Sequence, residues 1–319
     1  MKLFIGIDVS KNKLDVYFNG IDVTVSNNQK GLNKIHLLLK KEIKKGNKIA
    51  LIICEPTGGY EAKMVKFMIA INMPVHVAHA NKIRSFAKAK GFLAKTDCID
   101  ARVIAQYGEA LKPQADKQLQ TIEEELLAEL LKRKDQLLTD KIRESNRLDK
   151  EHASVVIKSA KLHIKWLEKE ITKIENEIQG LRKNEKINAK IELLKSVPAV
   201  GDVVASSLVA FLPELGLQDD KKIVALVGLA PYNKDSGKYR GKRFIQGGRA
   251  NVRKALYMSA VSSVRHYKEM KEFYLRLRSK GKPAKVALIA VERKLLIVLN
   301  SVMKRKTIWE PREFANAKT

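Results

Sequence analysis

Acidic residues are scarce in this chain: 35 Asp and Glu stand against 62 Lys and Arg in 319 residues. Crowding several of them together is therefore costly unless a cation neutralises them. Long apolar runs are also lacking, and none approaches the roughly 20 residues that a membrane span needs. The N-terminal stretch MKLFIGIDVSKNKLDV is broken at once by charges, so a signal peptide is not expected there. Cysteine is nearly absent: Cys54 and Cys98 form no spacing motif, so a reduced, cytoplasmic protein is expected. What is abundant is positive charge, a net +27 spread along the whole chain. DNA and RNA are the default partners for such a surface, with an anionic membrane the weaker alternative. A hydrophobic share of 45% supports packed cores and excludes global disorder, and the length suits two or three domains.

Residues 3–9, 13–18 and 21–25 read as three short strands in an antiparallel meander, the second and third alternating apolar with polar. A helix is expected over 31–45, from Leu32, Ile35, Leu38 and Leu39. The continuous apolar run KIALIIC (48–54) reads as a strand buried on both faces, stopped by Glu55-Pro56-Thr57-Gly58-Gly59. A helix over 60–71, a strand over 75–78 and a helix over 95–107 with Thr96 as its N-cap complete the first part. Three strands, helix, strand, helix, strand, helix is the order of the ribonuclease-H-like, or RuvC-like, fold. In that fold the first strand is central and the fourth lies beside it.

From 119 to 195 the chain is rich in Glu, Lys, Leu and Ile, with no Pro and a single glycine, Gly180. Two long helical stretches with narrow apolar seams suggest a coiled-coil hairpin or oligomerisation arm; an ordinary helical linker remains an equal alternative. Beyond Leu193 the chain turns globular again. SVPAVGDVVASSLVAFL (196–212) has a Pro-x-x-Gly turn opening an apolar helix, like the second half of a helix-hairpin-helix in which helix-terminal amides hold a phosphate. A helix is expected from Arg249, and 286–306 reads as an amphipathic basic helix packed on the core.

Two constellations carry chemistry. The first is Asp8, Glu55, Asp97 and Asp100. Taken singly, each suits a turn, a surface or a helix N-terminus. Taken together, two at strand ends and two on one helix face at i and i+3, they suit a hard cation such as Mg2+ and phosphoryl transfer on nucleic acid. The second is Ser236-Gly237 in a basic, glycine-rich run with Lys234, Lys238, Arg240, Lys242, Arg243, Arg249, Arg253 and Lys254. These bases can bind nucleic-acid phosphate and steady a pentavalent phosphorus, and the serine hydroxyl can attack it. The alternative is a phosphate-binding loop in which Ser236 only donates a hydrogen bond. His76 and His79 form an H-x-x-H pair on or after a strand, without Cys partners, and read as structural rather than as zinc ligands.

These residues resemble the DEDD-type transposases of bacterial insertion sequences, the insertion-sequence one-ten family with its eleven-eleven branch. The resemblance spans nearly the whole chain: GIDVSK, CEPTGGY and KTDCIDA at the N-terminal end, then SVPAVG and VGLAPYNKDSGKYRGKRFIQGGRANVRKALYMSA. Cys98 stands where an arginine is expected. The resemblance implies a site-specific DNA recombinase that excises and inserts a mobile element. Asp8, Glu55, Asp97 and Asp100 would hold one or two Mg2+ ions, and Ser236 would form a transient covalent link to DNA. A non-coding bridge RNA would pair with donor and target DNA, so that protein contacts are chiefly to backbone. Dimers pairing into tetramers would complete the acidic site of one subunit with the serine of another, in a cytoplasmic, nucleoid-associated protein.

The expected layout is an α/β RuvC-like catalytic domain over 1–115 with a mixed five-stranded sheet and helices, a helical coiled-coil or oligomerisation region over 116–192, and a mainly α transposase domain over 193–319. Two other functions remain open: a metal-dependent structure-specific endonuclease of the Holliday-junction resolvase type, with no serine nucleophile, and a non-catalytic nucleic-acid-binding scaffold.

Overall fold

A computed structural model describes residues 1–92, 97–116, 120–150, 153–232, 241 and 243–310, residues 97–99 by their backbone alone. The chain forms two compact units, Met1–Gln118 and Leu119–Thr319.

The first unit is an α/β layer structure. Its strands are β1 (Lys2–Val9), β2 (Lys13–Phe18), β3 (Ile21–Ser26), β4 (Lys48–Cys54) and β5 (Val75–Val77). Its helices are α1 (Gln29–Lys44), α2 (Ala62–Ala70), α3 (Ala80–Ala89) and α4 (Asp97–Leu111). The sheet order is β3-β2-β1-β4-β5, with β1, β2 and β3 antiparallel and β4 and β5 parallel to β1. The meander and the central β1 beside β4 follow the expected pattern. One element departs from it: α3 stands between β5 and α4, where no helix is expected from the sequence. Thr96 lies outside the described residues.

Strand alternation sends the two faces of β1 to different helices. Leu3, Ile5, Ile7 and Val9 pack with Ile52 and Cys54 against α1 (Leu32, Ile35, Leu39) and α2 (Met64, Met68). On the other face Phe4, Leu51 and Ile53 meet α3 through Ile83 and α4 through Val103, Ile104 and Tyr107. With helices on both faces, β4 is apolar from Ile49 to Cys54, as the sequence indicates.

Among the described residues the second unit is helical apart from one antiparallel pair of two-residue strands. It contains α5 (Ile122–Leu148), α6 (Ser154–Arg182), α7 (Glu185–Lys195), α8 (Asp202–Phe211), α9 (Asp220–Val227), β6 (Pro231–Tyr232), β7 (Phe244–Ile245), α10 (Ala250–His266), α11 (Lys268–Ser279) and α12 (Ala284–Arg305). Helices α5 and α6 run antiparallel: Leu137 packs on Leu167 and Ile171, flanked by Lys134–Glu175 at 2.8 Å and Lys141–Glu168 at 2.9 Å. Helix α5 starts at a capping box, in which Thr121 Oγ1 accepts from Glu124 N while the Glu124 carboxylate accepts from Thr121 N. The inner ends of this pair, Leu127, Ala128 and Ile178, join the core made by α7 to α12. Among the described residues no helix is long and apolar enough to cross a membrane.

Candidate functional site

The acidic edge is set by two glycines. A Cβ on Gly6 would run into the carbonyl oxygen of Ala101, and one on Gly108 would collide with the Ile53 side chain and lie 3.4 Å from that of Phe4. Helix α4 therefore lies directly on β1 and β4. Its residue numbers rise from Gly6 toward Phe4, so it runs antiparallel to β1. Its first turn, with Asp97 and Asp100, must then lie at the C-terminal end of the strand, where Asp8 follows Gly6 on the same face. The β1–β4 register pairs Ile7 with Cys54, so the next residues along the two parallel strands are Asp8 and Glu55. All four predicted acids are thereby carried to one edge of the sheet by the backbone.

Asp8, Glu55 and Asp100 are half-buried there, and each interacts with neighbouring groups. Among the described residues no group of three or more His, Cys, Asp or Glu side chains is arranged to hold a metal ion. The Asp97 side chain, the fourth carboxylate, lies outside the described residues. The donor chemistry, carboxylate oxygen alone, suits a hard cation.

The loop after Glu55 is braced rather than open. Glu61 Oε2 accepts from Thr57 N at 2.9 Å and from Gly59 N at 3.0 Å, and Gly58 and Gly59 take positive φ of 62° and 99°. That turn needs glycine and fixes where β4 hands over to Glu55. Arg102, on the second turn of α4, pairs with Asp22 at 3.1 Å and lies over the Tyr17 ring, tying the helix to β2 and β3 as well.

Sequence reasoning missed a fifth carboxylate. Asp15 on β2 is the register partner of Asp8 and is 6% exposed. Two carboxylates directly opposite repel. Asp15 is compensated locally: it accepts from Thr24 Oγ1 at 2.5 Å and pairs with Lys13 Nζ at 3.2 Å. The signal lay in KLDV, an acid between Leu14 and Val16 on the polar face of a strand that α4 then covers.

The histidines have separate duties. His76 Nδ1 pairs with Asp116 Oδ1 at 3.0 Å, while His79 caps α3 by accepting from Asn81 N. Cys54 is fully buried among apolar side chains, and that burial pushes its thiol pKa well up, so it packs and does not react. The Cys98 side chain lies outside the described residues.

In the second unit, β6 and β7 form a two-rung hairpin, Pro231 opposite Ile245 and Tyr232 opposite Phe244. Ser236 falls in sequence between these strands. It lies outside the described residues, as do Lys234, Lys238, Arg240 and Lys242. Arg243 is exposed beside the stem. The remaining basic residues expected to bind nucleic acid have partners within the fold. Arg249 grips the Glu214 carboxylate with both terminal nitrogens, at 2.6 and 2.5 Å, and donates to Phe211 O at 2.8 Å. Arg253 Nη1 donates to Val227 O at 2.7 Å and to Gly247 O. Lys254 makes an exposed pair with Asp135 at 2.9 Å. These partners lie 35, 26 and 119 residues away, which is why spacing alone does not reveal them.

Helix α8 begins after the Pro-x-x-Gly turn with Gly201 as its N-cap. Its first turn carries its own carboxylate. Asp202 is bound by Arg182 at 2.5 Å and Lys195 at 3.0 Å, and the Lys195 bond holds its carboxyl below the usual range.

Comparison with known proteins agrees across both units. Residues 5–154 match a DEDD transposase family of IS110 elements, and residues 191–275 match the transposase IS116/IS110/IS902 family. The pilin gene-inverting proteins of Moraxella lacunata and Moraxella bovis are each 30% identical, over 98% of this chain and 98% of their own length. An uncharacterized 44.8 kDa protein of insertion element IS116 from Streptomyces clavuligerus is 27% identical over 44% of this chain and 35% of its own.

Proposed function

The chain belongs to the IS110-type family of DEDD transposases, and on that footing we propose that it cuts and rejoins DNA through a phosphoserine link at Ser236, guided by a non-coding bridge RNA. One observation carries the reading: in a chain whose bases outnumber its acids 62 to 35, Asp8, Glu55 and the first turn of α4 are brought to one sheet edge. The strand order, with β1 central and β4 beside it, supports a ribonuclease-H-like platform for that edge.

The proposed chemistry is a pair of exchanges at phosphorus. Ser236 Oγ attacks a DNA phosphodiester, forming an O–P bond, while one sugar oxygen leaves with the serine proton. A sugar hydroxyl from the other DNA then attacks the phosphoserine, restoring a phosphodiester and freeing the serine. Lys234, Lys238, Arg240, Lys242 and Arg243 are the bases nearest in sequence that would balance phosphate charge. Asp8, Glu55, Asp97 and Asp100 would hold Mg2+, one or two ions, which when bound supplies Lewis-acid stabilisation of the phosphate oxygens. The α5–α6 pair, within the proposed division 1–115, 116–192 and 193–319, would serve as the coiled-coil arm of a dimer that pairs into a tetramer. The charge of +27 supports simultaneous binding of RNA and two duplexes.

A second outcome of the same chemistry is favoured by the full-length relatives, whose names describe pilin gene inversion. Two sites in one DNA exchanged by this route give inversion instead of insertion. The test is strand cleavage by the protein loaded with RNA from its own locus, on donor and target DNA with and without Mg2+, compared with Asp8→Ala. Metal-dependent cleavage lost in Asp8→Ala is the expected result. Product mapping then separates excised, inserted and inverted DNA. Cleavage that is independent of metal and unaffected by Asp8→Ala overturns the reading. Free ends without any protein–DNA link would indicate a resolvase-type nuclease, and binding without cleavage a scaffold.

A further inference from the structure

The residues on either side of the Ser236 segment are tied together more tightly than a two-rung hairpin requires. Helix α9 ends at Gly228, which takes φ +82° as a left-handed cap. Gly247 and Gly248, just after β7, take φ +67° and +70°. A Cβ on Gly228 would strike Gly247 O and lie 2.6 Å from Arg253 Nη1, and one on Gly248 would strike the Val227 backbone. The two glycine turns therefore pass in backbone contact, and Arg253 Nη1 bridges them, donating to Val227 O on one side and Gly247 O on the other.

A backbone carbonyl brought into this knot needs a donor, and Arg253 supplies one to each turn. Glu292 on α12 is 2% exposed, with its Oε1 unpartnered; burial pushes its carboxyl up, and the positive charge of Arg253 partly opposes that rise.

We propose that Arg253 is a positioning residue for strand exchange: it fixes the two ends of the Ser236 segment at one spacing through the Val227 and Gly247 carbonyls, and it does not bind DNA phosphate. This rests on the reading of Ser236 as the nucleophile. A misplacement of about 1 Å at a reacting group costs about 100-fold in rate, so the root of the segment is where such a loss would arise. Both bonds come from Nη1, whose two hydrogens are held in the guanidinium plane toward the two carbonyls; a lysine ammonium turns freely on a flexible stem and does not hold that orientation.

The test uses the full chain loaded with RNA and compares wild type, Arg253→Lys, Gly248→Ala and Ser236→Ala, each checked for folding by thermal melting. Gly248→Ala strains the same knot without touching a charge. At saturating DNA, both Arg253→Lys and Gly248→Ala are expected to slow single-turnover covalent capture of DNA by about 10- to 100-fold. Affinity and its salt dependence should stay at wild-type values. Pairing the stem through Tyr232→Cys with Phe244→Cys, which are register partners, should restore rate to Arg253→Lys. The proposal is overturned if Arg253→Lys weakens binding with a salt slope smaller by about 1 and recovers full rate once DNA saturates. It is also overturned if Gly248→Ala behaves as wild type. If Ser236→Ala itself captures DNA like wild type, the nucleophile reading fails. If Ser236→Ala is inactive while Arg253→Lys is normal, only the positioning role fails.

Discussion

Gly6 lies so close beneath Ala101 that any side chain at position 6 would overlap the helix backbone. That contact links the fold to the proposed chemistry, because the helix it seats carries Asp97 and Asp100 to the strand end that carries Asp8. Gly6→Ala must therefore lift α4 from the sheet. Overpacking of this kind costs about 1–3 kcal/mol, read as a lower urea midpoint for the first unit. Metal-dependent DNA cleavage should fall far more than stability does, and a Gly6→Ala protein with wild-type cleavage would disconnect the helix contact from the site.

Arg249 was expected from sequence to face nucleic acid, and its two-pronged grip on Glu214 points to a different effect of mutation. Arg249→Ala leaves a half-buried carboxylate without its partner and exposes the Phe211 carbonyl to loss of its donor. The cost should be about 1–3 kcal/mol in chemical denaturation. The salt slope of DNA binding should not change; a slope reduced by about 1 would show a phosphate contact instead.

Glu292 gives the second unit a pH dependence. Burial pushes its carboxyl from an ordinary 4.5 up to about 7, with Arg253 opposing the shift. Between those values the folded chain keeps a proton that the unfolded chain has released. Stability is thus fully present below pH 4.5 and is lost as pH rises through 7, by about 3 kcal/mol in all. The neutral isostere Glu292→Gln should remove this component. Urea midpoints of wild type and Glu292→Gln compared at pH 5 and pH 8 check it, and parallel pH profiles would contradict it.

Much of the first unit was legible because its signals are local. The run KIALIIC bounds β4, and the alternation in β2 and β3 separates their two faces. Helix α3 was not read from the sequence: Ile83, Phe86 and Ala87 do recur at helical spacing, but the stripe lies within only 10 residues and just Ile83 is fully buried. The acids at 8, 55, 97 and 100 were readable as a set since each closes or opens an element. Asp15 was not, because its importance comes from its register opposite Asp8, and register is a pairing between strands. The basic residues after Ser236 show the same limit more sharply. Arg243, Arg249, Arg253 and Lys254 look alike in sequence, yet one is exposed beside the stem, two are committed to Glu214 and to backbone carbonyls, and one makes an exposed pair with Asp135.

The most direct measurement is mass spectrometry of the SDS-stable protein–DNA species formed with bridge RNA, donor and target DNA, and Mg2+. A nucleotide carried on the peptide containing Ser236 in wild type, and no such species from Asp8→Ala or Ser236→Ala, is the result expected of a phosphoserine intermediate served by the acidic edge. Cleaved DNA with free ends, no protein attached, and Ser236→Ala as active as wild type would contradict it.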